Sequence, residues 1–169
     1  MDIIQQLPFP DEICNKIFLY GVKSPHTDLE CGILKYIFSP FIYKKLRTKK
    51  GIDVDKYGHV TRVDILSLFY SERQKVQFNI QWFHSFPYLI QLNLSSSNVK
   101  GDVKVLQSMP YLYHVRLYNT QVFGKLLDLK TLPNISGLDI ENIGIRGDKK
   151  EFTEYRKIHG LTECQVFGT

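Results

Sequence analysis

From Phe83 to Gly147 the apolar positions of this chain return every 23 residues. Pro87, Pro110 and Pro133 mark the step, and the residues after each proline align without a gap. Leu89, Leu112 and Ile135 share one column, Leu92, Val115 and Leu138 a second, and Leu94, Leu117 and Ile140 a third. Val99, Val122 and Ile145 continue the alignment, as do Gly101, Gly124 and Gly147 and, upstream, Phe83, Leu106 and Leu129. The second and third columns lie two residues apart, the spacing at which side chains fall on one side of a strand. Each copy therefore predicts a short strand with one buried face, which finds cover by lying parallel beside the strand of the next copy. The glycine column predicts a tight turn where a side chain would crowd, and the proline column a stiffened return path that needs no sheet hydrogen bond.

The spacing extends at both ends. Gly58-His59-Val60-Thr61-Arg62-Val63-Asp64-Ile65 repeats it 29 residues before the Leu89 copy. Leu161, Cys164 and Val166 repeat it 26 residues after Ile135, preceded by a short helix from Glu151 to Lys157. Five strands are expected in all. Toward the N-terminus, Pro10 to Tyr20 carries Ile13 and Ile17 one helical turn apart, with Cys14 and Phe18 alongside and Gly21 as a C-cap. A second helix is expected from about Asp28 to Phe38, interrupted at Ser39-Pro40 and continued in register by Phe41 to Leu46. The chain thus divides into a helical part, residues 1–50, and a repeat part, residues 51–169.

The L-x-x-L-x-L wording followed by x-V-x-G resembles plant-type leucine-rich repeats, and G-x-V-T at Gly58 to Thr61 resembles the first repeat of such arrays. The resemblance implies an α/β leucine-rich-repeat solenoid with a curved parallel sheet of about five strands, an N-terminal helical cap, and a concave face that binds proteins. Where the family places a turn asparagine, this chain has Ser97, Thr120 and Ile143, of which only the first two can hydrogen-bond. The isoleucine-proline that follows the family's glycine is absent. Leu7-Pro8-Phe9-Pro10-Asp11-Glu12-Ile13, with Lys16-Ile17-Phe18 and Tyr20, is in turn similar to the opening of an F-box, with two residues inserted in the L-P-x-E spacing. That similarity implies a substrate receptor of a cullin-type ubiquitin ligase, with the ligase adaptor as a partner. The other reading of these helices is a cap that covers the apolar edge of the first strand.

Charge and reactive side chains change the picture little. Of 22 basic residues against 17 acidic ones, Lys44, Lys45, Arg47, Lys49 and Lys50 supply the whole excess of five. They read as a basic helix end, with binding of RNA or an acidic membrane as the lesser alternative to a solvated face. Cys14, Cys31 and Cys164 form an odd set without C-x-x-C spacing, so neither a disulfide framework nor a metal site is expected. His26, His59, His84, His114 and His159 are scattered, and no glycine-rich phosphate loop is present. The expectation is a protein without catalytic residues or cofactor. Without a secretory signal or a membrane span, it is expected as a monomer in the cytoplasm or nucleus.

The informative surface is then the sheet face opposite the core. On the third strand His114, Arg116 and Tyr118 alternate with the buried Val115 and Leu117. Gln91, Asn93 and Ser95 should flank them on one side, and Gly137, Asp139 and Glu141 on the other. Arginine and tyrosine are residue types that anchor protein interfaces, so another protein is the expected partner. Alternatively, Arg116 pairs with Asp139 across the ladder and binds nothing.

Overall fold

The computed structural model describes residues 27–168 and, within them, side chains from Glu30 onward. The helix expected over Pro10 to Tyr20 and the F-box-like wording lie outside the described residues. The chain opens on helix α1 (Thr27–Thr48), kinked at Ser39, whose φ of 62° and ψ of 155° leave the helical region one residue before Pro40. This is the break expected at Ser39-Pro40, since the residue before a proline is driven away from helical angles. Two strands follow, β1 (Ile52–Val54) and β2 (Val60–Asp64), then a short helix α2 (Tyr70–Arg73).

From there the 23-residue period takes over. Strands β3 (Gln91–Asn93), β5 (His114–Arg116) and β7 (Gly137–Asp139) alternate with β4 (Lys100–Asp102), β6 (Gln121–Lys125) and β8 (Gly144–Arg146). Helix α3 (Lys149–Ile158) and strand β9 (Gln165–Phe167) close the chain. Short 3-10 helices at Ile80–Ser85, Val103–Ser108 and Leu126–Leu129 lead back toward the next strand. The main sheet has the order β1-β2-β3-β5-β7-β9, and β4-β6-β8 form a second one. All pairs are parallel except β1 with β2. The fold is mixed α/β, and the five expected strands are β2, β3, β5, β7 and β9. The antiparallel β1 and the whole second sheet are additions to that expectation.

Every apolar column of the repeat is buried. Leu92, Val115 and Leu138 face the core from the main sheet, with Val63 in the same row, and Val122 and Ile145 meet them from the second sheet, with Val99 buried just before β4. Phe83, Leu106 and Leu129 fill the return path, and Phe152 of α3 continues their column one period later. Between the two sheets the chain turns through Ser96, Asn119 and Asn142, at φ of 56°, 54° and 53°, a left-handed conformation that asparagine tolerates better than most residues. The next residue ties that turn where it can. Ser97 Oγ donates to the Leu94 carbonyl at 2.6 Å and Thr120 Oγ1 to the Leu117 carbonyl at 2.7 Å, while Ile143 packs against the core. Glycine is required at positions 101 and 124, where φ is +118° and +136°. A Cβ there would stand 2.3 Å from Asn79 Oδ1 and 2.9 Å from Asp102 Oδ1. Those oxygens cap the preceding 3-10 helices, accepting from Gln81 N–H and Lys104 N–H, so each glycine makes room for its neighbour's helix cap.

The last strand departs from the sequence expectation. Val166 pairs with Leu138, not with Ile140, so the strand sits two residues later than the Leu161-Cys164-Val166 spacing implies. Leu161 instead finishes α3, its N–H donating to the Arg156 carbonyl at 2.9 Å after Gly160. The residues spent leaving the helix push the strand down the chain.

Candidate functional site

The main sheet's outer face is ordered by its register. One row runs Arg62, Gln91, His114, Gly137, Gln165, and the next runs Asp64, Asn93, Arg116, Asp139, Phe167. The expected face residues Gln91, His114, Arg116 and Glu141 are exposed, and Tyr118, Gly137 and Asp139 are half-buried. Asn93 and Ser95 are not available in the same way. Asn93 is 5% exposed, its Oδ1 accepting from Ser95 N–H at 3.2 Å, and Ser95 is fully buried. The flank expected from β3 is therefore reduced to Gln91.

Arg116 lies directly opposite Asp139 in the ladder, yet no ion pair joins them among the described residues. Arg62, at the start of the sheet, behaves differently: it pairs with Asp64 at 2.9 Å and with Asp53 at 3.6 Å, and donates to the Lys50 carbonyl at 2.9 Å. Arg62 is thus held by two carboxylates, whereas Arg116 has no ion-pair partner among the described residues.

Next to Arg116 the face is hollow. A cleft of about 620 Å³ is lined by His114, Arg116, Gly137, Asp139, Glu163, Gln165 and Phe167. Gly137 matters here because a Cβ would fall 2.7 Å from His114 Cδ2, so the missing side chain lets the imidazole lie across the strand. Phe167 forms the far wall and is 57% exposed. The cleft thus combines an unpaired guanidinium, carboxylates at Asp139 and Glu163, and one open aromatic ring. Sequence reasoning missed Glu163, Gln165 and Phe167. Gln165 and Phe167 alternate with Val166 on β9 and so fall on its outer face, while Glu163 lies just before that strand.

Among the described residues, no three His, Cys, Asp or Glu side chains are grouped to hold a metal ion, and no helix is long and apolar enough to cross a membrane. Cys164 is buried and its thiol is pushed up to about 11 by desolvation, which removes it as a nucleophile at neutral pH. Comparison with protein-family models and with curated proteins finds no match. Among solved structures, the chain is similar to the leucine-rich-repeat ectodomain of the Arabidopsis receptor kinase HAESA, solved with an N-terminally extended IDA peptide hormone. The identity is 16% and the TM-score 0.39, over 93% of this chain and 32% of that one, so the chain spans about a third of that ectodomain's length.

Proposed function

We propose that the chain is a leucine-rich-repeat solenoid acting as a non-enzymatic protein-binding module, with its partner docked on the outer face of the main sheet. The observation that carries this reading is Arg116, exposed and without an ion pair among the described residues, beside a cleft whose far wall is the open Phe167 ring. A guanidinium offers a forked donor to a carboxylate, and an exposed ring offers apolar area at low entropic cost. His114, Tyr118, Gln91 and Glu141 surround that centre with groups able to orient a polypeptide. Asp139 and Glu163 would reject a strongly acidic partner and favour one that brings a carboxylate to Arg116 and a cation beside it.

The test begins with recovery of the partner by pull-down and mass spectrometry, followed by titration of the purified pair. Arg116→Ala and Tyr118→Ala should each weaken binding about thirtyfold or more, the scale of an interface anchor of about 2 kcal/mol. Both variants should keep the melting temperature of the parent chain. Changing Lys49 and Lys50 together should leave this affinity within about twofold. If the strand residues prove dispensable while the basic pair is essential, and binding falls steeply with salt, an electrostatic partner replaces this reading.

A further inference from the structure

We propose that the end of α1 and the Phe69-Tyr70 corner form a docking surface for an anionic lipid bilayer. This inference does not rest on the protein-binding reading and uses none of its residues. Between Glu30 and Asp53 the chain carries Lys35, Lys44, Lys45, Arg47, Lys49 and Lys50 and no acid. After the kink at Ser39, Ile42 and Leu46 turn into the core, and Phe41, Lys45 and Lys49 follow one another at four-residue steps on a neighbouring face. Phe41 is 63% exposed.

A second segment brings its own rings to the same place. Phe69 and Tyr70 are 68% and 63% exposed at the start of α2. Lys45 Nζ stands 4.6 Å from the Phe41 ring centre and 6.0 Å from that of Phe69, and Lys49 Nζ stands 4.5 Å from Phe69. Glu72 pins the corner to the helix, pairing with Lys45 while its Oε2 accepts from Phe69 N–H at 3.2 Å. With Lys45 neutralised by Glu72, Lys44, Arg47, Lys49 and Lys50 remain exposed, none in an ion pair with another described residue.

The chemistry selects the occupant. Phenylalanine has no polar atom to reward its exposure to water, so two adjacent open phenylalanines gain by entering an apolar phase. Single-stranded nucleic acid would need the ring faces for base stacking, and here a lysine ammonium already lies over one face of each ring. A bilayer uses the same arrangement well: the rings enter the acyl boundary while flexible lysines keep their charges at the level of anionic headgroups. Lys49 beside the Phe69 ring, with Lys44, Arg47 and Lys50 exposed on the same short stretch of chain, supplies a charge signal to set beside the inserted rings.

The test is sedimentation of the full chain with vesicles of phosphatidylcholine containing about one third phosphatidylserine, against vesicles of phosphatidylcholine alone. Binding is expected only to the anionic vesicles and should fall as salt is raised. Phe41→Ser combined with Phe69→Ser should lower the partition coefficient at least tenfold with an unchanged melting temperature. Lys44→Gln combined with Lys49→Gln should lower it about twenty-fivefold, near fivefold per charge. If the double phenylalanine change unfolds the chain, Tyr70→Ser and the lysine pair carry the test. Absence of binding to the anionic vesicles, equal binding to both vesicle types, or loss with the lysines but not with the rings would each overturn the proposal. So would a single-stranded RNA oligomer that displaces the chain from vesicles through the same lysines.

Discussion

The two ends of the main sheet are closed by opposite means. At the first end β1 pairs antiparallel with β2, and α1 lays Ile33, Leu34, Ile37, Phe38, Ile42 and Leu46 over the apolar edge. Closure there is almost wholly by burial of hydrocarbon. At the far end α3 buries only Phe152 and Arg156, one turn apart. Arg156 is 1% exposed, and its guanidinium donates to the carbonyls of Lys130, Leu132, Ile135 and Thr162 at 2.6 to 3.1 Å. Those carbonyls belong to the return path of the copy before α3 and to the segment after α3, where among the described residues no other strand or helix supplies them a donor. A single cation, whose pKa burial lowers from its ordinary value, thus does for the backbone what an additional repeat would have done. An apolar edge needs area, whereas an edge of unsatisfied carbonyls needs donors, and one arginine carries enough of them.

That contrast can be broken from either side. Arg156→Met keeps most of the buried hydrocarbon and removes every donor, leaving several carbonyls unpaired at once. It should cost about 3–5 kcal/mol in urea unfolding, the largest effect of any single change at either end. Leu46→Ala at the first end removes a fully buried side chain from a layer that neighbouring residues can partly refill. A loss of about 2–4 kcal/mol is expected in the same measurement. If Arg156→Met costs less than Leu46→Ala, the hydrogen bonds at the far end are incidental and Phe152 alone closes it.

The same contrast explains what the sequence makes legible. Apolar columns at a fixed period, such as Leu94, Leu117 and Ile140, announce both the strands and their parallel stacking, because burial needs the same residue type at the same place each time. The break at Ser39-Pro40 is legible for a local reason, the steric restriction that proline imposes. The second sheet was not legible: β4 centres on Gly101 and β8 opens on Gly144, glycine is a poor strand former, and the positive φ of Gly101 serves close packing. Arg156 was hidden because an arginine at helical spacing from Phe152 reads as a solvated side chain until the carbonyls around it are known. At the candidate face, alternation separates the buried Val115 from the exposed His114 and Arg116. It could not show that Asn93 and Ser95 are covered, nor that the hollow lies toward Phe167, because both depend on what packs beside the strands and not on the strands themselves.

The smallest effect sharpens the comparison at the first end, where one polar group interrupts the apolar closure. Glu30 is 7% exposed; its Oε2 accepts from Val60 N–H at 2.6 Å and its Oε1 lies 3.2 Å from His59 Nδ1. Burial raises its carboxyl above the ordinary value of 4.5, with the Val60 and His59 contacts only partly opposing it. The folded chain therefore holds this proton more tightly than the unfolded chain does. The residue's contribution to stability is full below pH 4.5 and is lost as pH rises through the raised folded value. Glu30→Gln keeps an acceptor for Val60 and cannot ionise, so the variant should gain on the parent as pH rises from 4 to 7, by no more than about 1 kcal/mol. Comparing the two proteins by urea unfolding at each pH cancels the titration of the shared groups that lie away from Glu30, His59 and Asp55. A constant difference across that range would mean that Glu30 holds its proton no more tightly in the folded chain than in the unfolded one, and that burial at the first end costs its carboxylate nothing.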